Sequence, residues 1–228
     1  MTPTLAQKAL AEFIGTLALI FIGAGSICAN QLSGDGVGLV GIALAHGLVI
    51  AAMVSAVGHI SGAHLNPAVT IGVWVAQRIS TREAALYWAA QLAGGVAGAL
   101  LLVWVFDAGT RAAVNLGTPA LAPGVGPAQG LLFEVVMTFF LVFVVFATAV
   151  DPRGAVKMVA GLAIGMVITF DILAGGPVTG ASMNPARTFG PAAVAASWQD
   201  HWLYWVGPLT GGLLAGALYN SVFLRRAP

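Results

Sequence analysis

Charge is what this chain has least of. Only 7% of its 228 residues are Asp, Glu, Lys or Arg, against about a quarter in soluble domains. Hydrophobic residues make up 59%, and the mean hydropathy is +0.93. That balance excludes a soluble domain and indicates an integral membrane protein. A formal net charge of +1 excludes a strongly basic surface for nucleic acid. The single cysteine, Cys28, excludes an intramolecular disulfide and reads as a small packing residue. No nucleophile–base pair, cofactor motif or metal-ligand spacing occurs, so no enzyme, cofactor or metal site is expected. The N-terminus resembles no cleavable signal peptide, because apolar sequence runs on past the length of a signal's hydrophobic region.

What is present is a series of apolar runs punctuated by charges. Membrane spans are predicted over 8–30, 38–58, 83–106, 129–150, 157–174 and 202–224. Two shorter apolar runs, about 66–76 and 184–194, fall short of the roughly 20 helical residues a bilayer requires. Each opens with a polar, helix-breaking stretch: Ser61-Gly62-Ala63-His64-Leu65-Asn66-Pro67-Ala68 and Thr179-Gly180-Ala181-Ser182-Met183-Asn184-Pro185-Ala186-Arg187. Irregular backbone is tolerated at membrane depth only where protein buries it or where it lines a wet cavity. The two runs therefore read as re-entrant half-helices, with Pro67 and Pro185 in the first turn where the missing N–H costs nothing.

The halves match beyond this motif. Glu12 and Thr16 recur as Glu134 and Thr138, and the Glu pair and the Asn pair are separated by nearly the same interval. Three spans per half, an odd number, invert the second half relative to the first. Both Asn-Pro-Ala loops then enter from opposite faces, as in other inverted-repeat transport folds. Repeat one is placed at about 1–106, repeat two at about 129–228, and a Gly-, Pro- and Ala-rich extracellular connection at about 107–128. Lys8, Arg78, Arg82, Arg153, Lys157, Arg225 and Arg226 fall on one side of this topology. Only Arg111 and Arg187 fall on the other, which puts both termini in the cytoplasm.

Paired Asn-Pro-Ala loops, the second continued by Arg, on six spans in two inverted halves resemble the aquaporin (major intrinsic protein) family over essentially the whole chain. The resemblance implies an all-α membrane fold of six spans and two half-helices, a homotetramer, and a pore centred on Asn66, Pro67, Ala68, Asn184, Pro185 and Ala186. The half-helix N-termini and the Asn amides would orient water and oppose protons and cations, as in aquaporin-type pores generally. Either Asn could instead cap its half-helix, and the two roles are compatible. Glu12 and Glu134 would support the loops.

The resemblance also implies an outer filter of His46, Ile172, Ala181 and Arg187. The water-selective pattern has Phe and His at the first two positions. His, Ile, a small residue and Arg are instead similar to plant tonoplast intrinsic proteins and to ammonia-permeable animal aquaporins. Water and ammonia are the expected solutes, with hydrogen peroxide a third candidate. A strictly water-selective pore is the alternative. Glycerol facilitation is disfavoured, because Thr188, Ala192 and Tyr204-Trp205 stand where glycerol-conducting members carry Asp, a basic residue and a Pro-aliphatic pair. An ion-coupled transporter would need free carboxylates at the repeat interface, and only Asp171 is not already assigned.

Asp171 lies next to Ile172, about 100° around the helix, where a hydrogen bond to His46 is expected. His64 and His59 read as loop anchors. Gly94 and Gly98, Gly161 and Gly165, and Gly212 and Gly216 are spaced for close helix crossings. A short-ended chain of this kind suggests a microbial inner (plasma) membrane.

Overall fold

The computed structural model describes residues 2–154 and 159–224, and helix is the regular secondary structure among those residues, joined by short loops. Lys157, Arg225 and Arg226, which entered the orientation argument, lie outside the described residues, as does the start of the expected fifth span.

Five helices are long and apolar enough to cross a membrane: α1 (Leu5–Leu32), α2 (Gly38–Ser61), α4 (Thr81–Val105), α6 (Pro127–Val150) and α7 (Ala160–Thr179). The sixth crossing is α9 (Leu203–Leu218), continued by a π-helical turn over Tyr219–Phe223. Between the spans lie the half-helices α3 (Pro67–Val75) and α8 (Pro185–Ala195), and a short helix α5 (Ala108–Ala113). The 107–128 connection is thus partly ordered as helix, with Asp107 capping α5 through Thr110 N at 3.0 Å.

Helix starts follow the polar residues at the span edges. Thr4 and Gln7 form a reciprocal capping box on α1, and Ser80 accepts from Glu83 N to start α4. Such caps contribute about 1 kcal/mol each. The fifth span runs five residues past its expected end at 174, through Gly175, Gly176 and Pro177, and stops only at Gly180, φ +78°. Gly62, φ +89°, ends α2 in the same way. A left-handed residue after the last turn is the usual place for glycine.

The inverted repeat is visible in the packing. In the first half α1 lies on α4, and in the second α6 lies on α9, while α2 and α7 form the central pair. Each half-helix packs on the last span of the other half, α3 on α9 and α8 on α4. Trp88 and Trp205, which hold equivalent positions in the two halves, meet edge-on at 6.4 Å.

Glycines permit these crossings. A Cβ on Gly72 would sit 2.8 Å from Gly212 O, and one on Gly95 2.8 Å from Ala186 O. Gly94 and Gly98 meet the backbone of α1, Gly161 and Gly165 that of α2, and Gly212 and Gly216 that of α3. Without a hydrophobic drive between helices in lipid, such backbone approach supplies the dispersion contact that holds the bundle. The outward faces carry large apolar side chains, including Leu44, Leu48, Leu162, Met166 and Phe170.

Candidate functional site

Both loops between span and half-helix are built on an unfavourable backbone. Ala63 and Leu65 have φ of 48° and 51°, and their counterparts Ala181 and Met183 have 44° and 53°. Left-handed conformations cost non-glycine residues roughly 1–2 kcal/mol each, so something must hold them.

Two buried carboxylates do. Glu12 Oε1 accepts from His64 N at 2.9 Å and Ser61 Oγ at 2.6 Å, and its Oε2 accepts from Leu65 N at 2.6 Å. Glu134 repeats this with Ser182 N at 2.9 Å, Thr179 Oγ1 at 2.8 Å and Met183 N at 2.7 Å. Each loop is also tied by a tyrosine, with Tyr87 OH donating to Ser61 O and Tyr204 OH to Thr179 O, both at 2.7 Å. The tyrosines were not anticipated, although Leu-Tyr-Trp at 86–88 and again at 203–205 repeats in sequence.

The brace is not fully symmetric. Gln91 Nε2 donates to Glu12 Oε2 at 2.8 Å and to Thr70 Oγ1 at 3.0 Å. Pro208 occupies the equivalent place, four residues after Tyr204, and has no donor to offer.

The two loops meet. Asn66 Nδ2 donates to Met183 O at 2.8 Å, and Asn184 Nδ2 donates to Leu65 O at 2.9 Å. Each Asn also caps its own half-helix: Asn66 Oδ1 accepts from Ala68 N at 2.8 Å, and Asn184 Oδ1 from Ala186 N at 3.0 Å and Arg187 N at 3.2 Å. An amide has two N–H donors. One on each Asn is committed to the opposite loop, and the second is left for whatever occupies the adjoining cavity. Capping through Oδ1 therefore does not conflict with the pore-donor reading of the same residues.

A narrow cavity of about 30 Å³ runs past both asparagines. Much of its wall is apolar, including Leu19, Ile50, Leu141 and Ile168. A wider vestibule of about 240 Å³ adjoins it, lined in part by the 117–120 segment of the connecting loop. His46, Ile172 and Arg187 line both spaces, which places them at the junction, while Ala181 lines the narrow one. All four are at most 4% exposed.

Arg187 is held from two sides. Its Nη1 donates to Gly117 O at 2.8 Å, and its Nη2 lies 3.3 Å from His46 Nε2. Arginine only donates, so His46 accepts at Nε2, carries its proton on Nδ1 and donates that to Ile42 O at 2.9 Å. The imidazole is therefore a neutral ring in a fixed tautomer. Gly117 is, with the two tyrosines, a residue that sequence reasoning missed: its role depends on a carbonyl, which leaves no side-chain signature.

The expected Asp171–His46 hydrogen bond does not form. Both His46 nitrogens are engaged elsewhere, and Asp171 turns away, buried, with Oδ2 lacking a protein partner. His64 anchors its loop as expected, with Nδ1 3.1 Å from Thr70 Oγ1 and its ring edge-on to Tyr87. His59 is exposed. Cys28 is buried and free. Among the described residues no group of three His, Cys, Asp or Glu side chains could hold a metal ion.

Comparison with known proteins matches this geometry to one family. The family model described as Major intrinsic protein matches residues 1–219. Aquaporin TIP4-4 of Zea mays is 51% identical over 223 residues, covering 96% of this chain and 87% of that relative. Aquaporin TIP2-1 of Arabidopsis thaliana is 45% identical over 221 residues, covering 94% and 86%. These are plant tonoplast intrinsic proteins, the branch that the filter residues resemble. They lend no support to the expectation of a microbial plasma membrane. The X-ray structure of the aquaglyceroporin from Plasmodium falciparum has a TM-score of 0.85 at 22% identity, covering 96% of this chain and 97% of its own, a likeness of fold alone. The chain is a multi-pass membrane protein that belongs to the major intrinsic protein family, the aquaporins, whose members are channels and not enzymes.

Proposed function

We propose that this protein is a passive channel for water and ammonia. Hydrogen peroxide, a neutral hydride of similar size, is a further permeant. The observation that carries this reading is the junction where His46, Ile172 and Arg187 line both the narrow cavity and the vestibule. A solute leaving the vestibule there meets one cationic wall, one imidazole and one aliphatic wall.

Each wall has a consequence. The guanidinium of Arg187 repels ammonium and metal cations, and the two half-helix N-termini repeat that barrier at the centre. Ile172 offers no hydrogen bond, so water gains little over ammonia in passing it. Ala181 adds little bulk. His46 gives its one acceptor to Arg187, so it is no base for ammonium, and ammonia enters already deprotonated. The free N–H of Asn66 and of Asn184 turns each passing molecule toward donors on one side, which interrupts a proton wire.

The pore would lie within one channel domain of two inverted repeats, with both termini cytoplasmic and four subunits each carrying a pore. The family resemblance supports the tetramer, and the distribution of Lys and Arg supports the orientation. A strictly water-selective pore is the competing reading, favoured only by the retained arginine.

Proteoliposomes decide between them. Osmotic shrinkage and internal alkalinisation by ammonia, recorded by stopped-flow on one preparation, should both be fast. Fast shrinkage without alkalinisation would support the water-selective reading. Flux that saturates or follows an ion gradient would support a transporter instead.

A further inference from the structure

The inverted repeat assigns a partner to every residue of the outer junction. Stepping the same distance from Asn66 as from Asn184, Arg187 corresponds to Val69, Ala181 to Ala63, and Ile172 to Val54, while His46 corresponds to Ile164. All four counterparts line the narrow cavity, with Val69 4%, Ala63 7% and Ile164 6% exposed. They come from the same four kinds of element as the outer set: the two central helices, a loop and a half-helix. The backbone is mirrored too, since Ala63 and Ala181 share a left-handed conformation. What is not mirrored is the chemistry. The outer junction has a guanidinium and an imidazole, whereas its mirror image has no side-chain donor or acceptor at all.

We propose that Val54, Ala63, Val69 and Ile164 form a second, apolar constriction on the inner side of the paired asparagines, and that this ring adds to the aliphatic wall at Ile172 in raising the ratio of ammonia to water. The inference rests on the channel reading above and extends it to residues with no polar group. A molecule crossing the ring gives up hydrogen bonds that these side chains do not replace, and unmade bonds carry the full desolvation cost. Water, with two donors and two acceptor sites in use in bulk, loses more than ammonia, which has a single lone pair. The outer junction thus rejects charge and offers one aliphatic wall, and the inner ring adds a further penalty on the more strongly hydrated neutral molecule. His64 shares this stretch of wall, but its Nδ1 is tied to Thr70 Oγ1.

Val54→Thr and Val69→Thr test this, because threonine keeps the shape of valine and adds one hydroxyl. Water and ammonia permeabilities of proteoliposomes would be compared with those of wild type and of Val105→Thr, a change at an exposed position away from the cavity. One recovered hydrogen bond is worth about 1 kcal/mol, so each ring variant should raise water permeability relative to ammonia about fivefold. The activation energy of water flow should fall as well, a readout that does not require ammonia to permeate. Val105→Thr should leave ratio and activation energy unchanged. Ring variants with wild-type water flux, ratio and activation energy would overturn the proposal. A wild type that conducts neither solute would instead overturn the channel reading on which it rests. Should a threonine variant fail to fold, Ile164→Val, which removes one methyl, carries the test: a wider ring with less apolar bulk should raise water flux, and unchanged flux would count against the ring.

Discussion

Arg187 and His46 meet at 3.3 Å, and the direction of that contact fixes both side chains. Because the guanidinium can only donate, the imidazole is locked as an acceptor at Nε2 and a donor to Ile42 O at Nδ1. Two groups that could each be cationic are thereby reduced to one charge at a defined place. A planar fork is required, since Nη1 must reach Gly117 O at the same time.

Lysine cannot meet both demands. Arg187→Lys should therefore lose the contact to Gly117 O or to His46, and Arg187→Val should lose both and the charge. The expectation is a graded rise in leak of small cations, largest for Val, measured as dissipation of a potassium gradient in proteoliposomes. Equal, wild-type tightness in both variants would remove Arg187 from charge rejection.

The loop carboxylates should matter for folding before they matter for flux. Replacing Glu134 by Ala leaves Ser182 N and Met183 N buried without acceptors, at roughly 1–3 kcal/mol each. Glu12→Ala strands His64 N and Leu65 N and leaves the Gln91 amide with Thr70 Oγ1 alone of its two partners. Both variants should show a sharp loss of monodisperse protein and a lowered thermal midpoint in detergent, with Glu12→Ala the worse. Gln91→Ala, which keeps the carboxylate, should be milder than either.

Gly212 tests the half-helix crossing. A Cβ there runs into the backbone of Ala68, which cannot step aside as a side chain could. Gly212→Ala should push α3 away from α9 at a cost of about 1–3 kcal/mol. Water permeability per folded molecule should fall with it. Full stability together with full flux would show that the α3–α9 crossing has room for a side chain at Gly212.

Much of this was legible in the sequence, and the reasons differ by residue. The spans and half-helices follow from long apolar runs against a short polar motif, and they stand within a few residues of their expected places. Glu12 and Glu134 were legible because an isolated charge inside an apolar run needs a partner. The end of α7 was not, because Gly175, Gly176 and Pro177 look like a stop, yet the helix continues to the left-handed Gly180. Gly117 was not, because a carbonyl has no residue type. Asp171 was misjudged because adjacency to Ile172 gives only an angle around the helix, and the two His46 nitrogens had already found other partners.

The adjoining ends of α6 and α9, at Asp151 and Tyr219, carry a pH signature. Asp151 accepts from Arg153 Nε at 3.0 Å and Nη2 at 2.8 Å, from Arg153 N at 2.9 Å, and from Tyr219 OH at 3.2 Å. The side-chain hydrogen bonds from Arg153, then its backbone N–H, hold the carboxyl well below its ordinary value of 3.8. A carboxylate with a depressed folded-state pKa gives stability that is complete above the unfolded value and is lost as pH falls through the folded one. Wild type should therefore keep this contribution down to about pH 4 and lose it only in stronger acid. Arg153→Gln should move the loss to higher pH, and identical acid profiles of thermal midpoint for the two proteins would contradict the assignment.

The most direct test of the outer junction exchanges its two unusual residues for the water-selective pair. In His46→Phe with Ile172→His, water and ammonia permeability would be recorded by stopped-flow on one proteoliposome preparation and compared with wild type. The account predicts that water flux persists while the ammonia-to-water ratio falls severalfold, because the aliphatic wall is replaced by a hydrogen-bonding ring and the bore narrows. A ratio unchanged from wild type would contradict the claim that His46, Ile172 and Arg187 select what enters.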